Sequence, residues 1–143
     1  MLTNLSIEDL HGFLDEPLVA VLATLRRDGS VLLSPVWHEW REGGFNVWVG
    51  ADDVKARHLR RDPRASILVA ESENPLRGVE VRGVARIIEN GAHETAVRIA
   101  SRYIGKEKGA AYVGSAGDEV TIRVASGDLR VWDFADEHGA MDP

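Results

Sequence analysis

Residues 18–25 read LVAVLATL, eight positions almost free of polarity, and Arg26-Arg27-Asp28-Gly29 supplies a turn before a second strand-like run opens at Ser30. An apolar run this short, closed by a turn signal, suits a strand buried on both faces. It pairs by a hairpin with residues 30–40, where Val31, Leu33, Pro35 and Trp37 share one face. After Glu42-Gly43-Gly44 a third strand is expected over 45–49, which completes a meander of three. Residues 65–70 read as a fourth strand and 78–88 as a fifth, with Val79, Val81, Ala85 and Ile87 inward and Glu80, Arg82 and Arg86 on the opposite face. Residues 119–124 and 129–134, set around Ser126-Gly127-Asp128, read as the last strands.

Helices punctuate this pattern. Ser6 with Asp9 starts a short leading helix that carries Ile7, Leu10 and Leu14 before Pro17. Residues 92–103 read as another helix, with 105–111 (GKEKGAA) as its loose continuation. The segment DDVKARHLRRDPRASILVA, residues 52–70, holds a third. Asp52 or Asp53 caps it, and Pro63 ends it by lacking an amide and restricting the residue before it. Val54, Ala56 and Leu59 make a narrow inward stripe, while Lys55, Arg57, Arg60 and Arg61 make the rest cationic. Such a helix is either a solvated face or an anion site, because free amides and the dipole at a helix start both favour negative charge. Six or seven strands, mostly joined by hairpins, with three short helices, predict one domain over residues 1–143. Its antiparallel sheet is expected to close into a small barrel. A barrel this small is filled by its own side chains, so a sizeable ligand binds outside it or between subunits, and a homodimer is expected.

A net charge of −6 argues against general nucleic-acid binding and makes the basic helix a local exception, suited to one small anion. Without cysteine there are no disulfides, thiolate metal sites or cysteine nucleophiles, so redox chemistry must come from a bound cofactor. The early acids and missing long apolar core of MLTNLSIEDLHGFLDEP fit neither a signal peptide nor a membrane span, and a cytoplasmic protein is expected.

His38, between Trp37 and Glu39, is a candidate general base, but no second histidine sits at a metal spacing and no serine sits in a nucleophile turn. His11, His58, His93 and His138 are scattered, so no metal is expected. Gly43-Gly44 and the glycines of residues 105–117 lack dinucleotide and P-loop spacing and read as turns. Trp37, Trp40, Trp48 and Trp132 serve core or subunit packing, or place one or two indoles against a flat ring.

Taken in order, VAVLATLRRDGSVLLSPVWHEW, KARHLRRDPRASILV, RGVEVRGVARI and DLRVWDF resemble the pyridoxamine 5'-phosphate oxidase-like superfamily of flavin-binding split β-barrels, and specifically its deazaflavin (coenzyme F420)-dependent branch. The resemblance covers nearly the whole chain. It implies a mainly β fold, a split β-barrel of Greek-key type, that dimerises with cofactor grooves at the two-fold interface. By resemblance, Ser34, Pro35, Val36 and Trp37 run along the ring of the cofactor, and Lys55 binds its phosphate. Val49, Gly50 and Ala51 form the turn whose amides approach that phosphate, with Arg57 and Arg60 as auxiliary cations. Arg77, Gly78, Val79 and Glu80 close the site from the partner subunit, and Trp132 matches a late aromatic near the ring.

One departure is that Asp52 and Asp53 stand where related sequences often carry a second basic residue, which weakens the local positive potential. Members bind FMN, the deazaflavin or haem, and the Arg-Asp-Pro-Arg helix end with RGVE favours coenzyme F420 over FMN. The implied activity is hydride transfer from the reduced deazaflavin to a small organic acceptor, with the protein supplying orientation and electrostatics. Pyridoxamine phosphate oxidation itself is not expected, since the chain is short and shows no complete substrate-phosphate site. The rivals are an FMN-dependent reductase or oxidase, a non-catalytic carrier of flavin, deazaflavin or haem, and a dimeric interaction module.

Overall fold

The computed structural model describes residues 2, 5–73 and 75–134, which leaves His138 outside it. Its strands are β1 (Ala20–Leu25), β2 (Val31–Val36), β3 (Glu39–Arg41), β4 (Gly44–Gly50), β5 (Arg64–Ala70), β6 (Gly78–Ile88) and β7 (Glu119–Trp132). The helices are α1 (Val54–Arg61), α2 (Ala92–Ile104) and α3 (Lys106–Val113). All strand pairs are antiparallel, in one sheet of order β2-β1-β5-β6-β7-β4-β3.

β2 and β3 are the two edges of that sheet, yet only Trp37 and His38 lie between them in the chain. So short a link reaches about 10 Å when extended, so the two edges stand side by side and the sheet has to curl. Because no ladder joins them, the barrel is split along this seam. Residues 30–40, expected as one strand, therefore break into β2 and β3. The expected meander also gives way: β4 pairs with β3 on one side and with β7 on the other, Val47 facing Ile122, instead of returning to β2.

Two further expectations change. The leading helix is two short 3-10 turns, Ile7–Leu10 and Phe13–Asp15, separated by His11 and Gly12, both in the left-handed region. The final strands are one continuous β7, because Ser126-Gly127-Asp128 is not a turn. A β-carbon at Gly127 would sit 2.0 Å from the Arg82 carbonyl oxygen, so the two backbones meet there, beside the irregularity at Gly83 and Ala85 that bends the β6–β7 ladder. The residues of 105–111 fold into α3 in place of a loose tail.

The core fills the barrel with Leu22, Ile67, Val69, Val79, Val81, Phe45, Val47, Val120 and Ile122, and Leu10 and Phe13 of the 3-10 turns are buried in the same cluster. Alternation on β1 puts Ala20, Leu22 and Thr24 inside, but Val21, Ala23 and Leu25 are only half-buried on the outer face. Across the pair they meet Pro35, Leu33 and Val31, and Val31 and Leu33 are 50% and 64% exposed. A strand expected to be covered on both faces thus has one face open in the single chain. Among the described residues no helix is long and apolar enough to cross a membrane.

Candidate active site

Where the split seam opens, the ends of β2 and β4 and the start of α1 enclose a cleft of about 350 Å3, with Tyr112 of α3 at its side. Pro35, Val36, Trp37, Trp48, Val49, Asp53 and Lys55 form the rest of its lining. Asp53 caps α1 by accepting a hydrogen bond from the Lys55 amide at 2.8 Å. The same carboxylate holds Lys55 Nζ at 3.1 Å, so the cation and its tether sit together at the helix start.

The opposite wall is aromatic. Trp37 stacks on Tyr103 of α2 at 4.9 Å and 7° between planes, with Trp48 at 6.2 Å and Tyr112 at 5.6 Å, both tilted. Tyr103 is anchored from behind. Its hydroxyl donates to the Leu18 carbonyl at 2.7 Å and accepts from the His38 amide at 3.0 Å. With its single proton spent on Leu18, the hydroxyl accepts from His38 Nδ1 at 2.9 Å, which assigns the proton to Nδ1. His38 Nε2 is then a buried acceptor with no partner among the described residues. Burial and the nearby Arg102 guanidinium lower its pKa from 6.5 to about 4, so the ring is neutral near pH 7. His38 is inaccessible and outside the cleft, which removes it as a general base. Arg102 fixes the seam, donating to the carbonyls of His38, Leu14 and Glu16.

Of the residues picked from sequence, the cleft gathers Pro35, Val36, Trp37, Val49 and Lys55. Ser34 precedes them on β2, half-buried toward the interior. Gly50 ends β4 and is exposed, but the Ala51 amide is committed to the Asp118 carbonyl at 2.9 Å. Arg60 donates to the Ala51 carbonyl at 2.7 Å and so braces the turn. Arg57 lies in a different cleft of about 610 Å3, with Arg26, Arg27, His58 and Arg61.

Arg77, Gly78, Val79, Glu80 and Trp132 form a second cluster. Arg77 is bound to the Glu71 carboxylate at 2.7 Å and to the Leu10 carbonyl, above the Phe13 ring. Trp132 lies over Gly78, where a β-carbon would come within 2.1 Å of the indole, and Arg130 spans the Trp132 ring and Glu80. Val79 points into the core, leaving only its backbone for any ligand. Gly78 starts β6 beside the end of β7, whereas Ile88, ten residues on, pairs with Thr121 near the Gly50 end of β4. That is about 30 Å along the strand, but across the sheet Val36, Ala20, Val69 and Val79 are successive partners, about 14 Å over three strand spacings, and no residue of the Arg77 cluster lines the Lys55 cleft.

Trp48, Tyr103, Tyr112 and Asp53 complete the cleft without having been picked as site residues. Trp48 and the two tyrosines were present only as residue types, Tyr103 at the end of a segment read as a helix and Tyr112 just past its tail, while Asp53 was read as a helix cap. A cation at one end and a wall of aromatic rings form a site with the chemistry to take a flat ring that carries a phosphate. Among the described residues no group of three or more histidine, aspartate or glutamate side chains could hold a metal ion.

The sequence profile of pyridoxamine 5'-phosphate oxidase matches residues 7–133. A conserved hypothetical protein from Mycobacterium tuberculosis superposes with a TM-score of 0.79 at 28% identity, over 94% of this chain and 88% of that one. An F420 reductase superposes at 0.67 with 24% identity, over 82% of this chain and 93% of its own. An FAD- and haem-binding protein from Mycobacterium smegmatis superposes at 0.69 with 17% identity, over 99% of this chain and 80% of its own. The latter two likenesses are of fold. Because the profile runs through all seven strands and every wall of the cleft, the chain belongs to the pyridoxamine 5'-phosphate oxidase family of flavin-binding split barrels.

Proposed function

We propose that this protein is a coenzyme F420-dependent oxidoreductase that delivers hydride to a small, electron-poor organic acceptor, and that it works as a homodimer. The observation that carries the reading is the Lys55 cleft: a cation at a helix start facing the indoles of Trp37 and Trp48. When bound, the reduced deazaflavin supplies the hydride, and the chain supplies the setting. Lys55 holds the phosphate once it exchanges Asp53 for it, and the β2 end from Ser34 to Trp37 supports the ring. The stacked Trp37–Tyr103 pair makes that support rigid. Gly50 and the Arg60-braced Ala51 carry the turn beside the phosphate.

The second subunit enters through the open outer face. Val31, Leu33 and Pro35 form an exposed apolar strip on an edge strand that leads directly into the cleft, the kind of surface a partner covers. A second copy there brings its own Arg77, Gly78, Glu80 and Trp132 to the ring, which accounts for their absence from the lining of the Lys55 cleft within one chain.

The test is anaerobic mixing of the reduced deazaflavin with the protein and a panel of nitro, enone and quinone acceptors, following return of the oxidised absorbance. Enzyme-dependent turnover with at least one acceptor supports the reading. Saturable binding with no turnover across the panel makes the protein a carrier, and turnover only with FMN makes it a flavin reductase.

A further inference from the structure

A separate cleft of about 290 Å3 lies on the outer face of β4, β7 and β6, against α2. On this face Arg123 of β7 stands between Asn46 of β4 and Arg86 of β6, each directly opposite it in the ladder. Like charges facing each other across adjacent strands destabilise a sheet. Neither arginine has a carboxylate to offset the other among the described residues. Arg123 donates to the carbonyls of Arg41 and Glu42 and to Asn46 Oδ1, and the Arg86 side chain makes no hydrogen bond or ion pair among the described residues. The Glu39 carboxylate is already taken by Arg98, through two bonds of 2.7 Å, and by Asn46. Glu42 is the single acid in the lining, beside the arginines Arg41, Arg86, Arg98 and Arg123.

Two residues before Arg123 on the same face, Thr121 is 3% exposed, and its hydroxyl has no partner among the described residues. An orphaned buried hydroxyl is a cost that native structures rarely leave standing. Thr121 belongs to the lining of the same cleft as Arg86 and Arg123. Arg123 is met by neutral oxygens alone, and among the described residues the Arg86 guanidinium and the Thr121 hydroxyl have no partner.

We propose that this cleft binds a small oxyanion, phosphate or a compact carboxylate, held by Arg86 and Arg123 with the Thr121 hydroxyl donating to one of its oxygens. The site is independent of the cofactor reading, since it shares no lining residue with the Lys55 cleft.

Calorimetric titration at constant ionic strength with inorganic phosphate and with malonate tests it, in a Lys55→Ala background that removes the other anion site. Saturable binding of either is expected, and the tighter of the two names the class. Arg86→Gln, at an exposed position without partners, should fold normally and weaken that binding about tenfold or more. Thr121→Val should weaken binding as well, yet raise the Tm in anion-free buffer, because the deleted hydroxyl had no bond to lose. Absence of binding by both anions overturns the proposal. So does binding that Arg86→Gln and Thr121→Val leave unchanged.

Discussion

Lys55 keeps its charge close to Asp53 and only 17% of its side chain exposed, so a phosphate meets a cation already placed and partly desolvated. Removing it deletes a charged donor, and Lys55→Ala should weaken deazaflavin or FMN binding about tenfold or more, as read by fluorescence titration. Unchanged affinity would remove Lys55 from the site. His38 makes a different prediction. Its pKa falls to about 4 in the fold from 6.5, so below pH 6.5 the unfolded chain takes up the proton before the folded one does. The stability is whole above that pH and is lost as pH falls toward 4, by about 3 kcal/mol in all. His58, also lowered by burial, adds to the same trend. The Tm of the wild type should therefore drop more steeply from pH 7 to 4.5 than that of His38→Gln, and parallel curves would contradict the buried neutral imidazole. Lys55 and the run from Pro35 to Trp37 were legible in the sequence because they lie in short contiguous motifs. Tyr103 and Tyr112 were not, since what makes them site residues is contact with Trp37, more than sixty positions earlier in the chain.

The start of α1 joins two roles in one residue, because Asp53 both caps the helix and neutralises Lys55. Asparagine caps about as well as aspartate but carries no charge. Asp53→Asn should leave the Tm nearly unchanged and tighten cofactor binding severalfold, and weaker binding would show that the aspartate positions Lys55 for its ligand. This helix was readable at both ends, to within a residue or two, because a capping aspartate and Pro63 are local signals. Strand ends were less so. Residues 30–40 look continuous by alternation, and only the placement of β2 and β3 at opposite edges breaks them at Trp37. Conversely, Gly127 reads as a turn residue, although it is there to let β7 pass close to Arg82.

At the scale of the whole molecule, the order β2-β1-β5-β6-β7-β4-β3 depends on the β4–β7 ladder, whose strands lie far apart in the chain. Hairpin signals predict neighbours and not such closures, which is why a barrel was legible and its seam was not. The seam leaves one outer face apolar, and on the proposed reading a second copy covers it. Leu33→Glu puts a charge in the middle of that strip. Sedimentation should show it as a monomer beside a dimeric wild type, with cofactor affinity reduced about tenfold or more as the partner's Trp132 cluster is withdrawn. A dimer of unchanged affinity would move the interface elsewhere. The central claim is that the Lys55 cleft holds a phosphate-bearing deazaflavin against Trp37 and Trp48, and its most direct test is titration of the cofactor-free protein with coenzyme F420 and, in parallel, FMN, following tryptophan emission. The account predicts saturable quenching at lower concentration of coenzyme F420 than of FMN; preference for FMN would contradict the choice of cofactor, and no quenching by either would contradict the site.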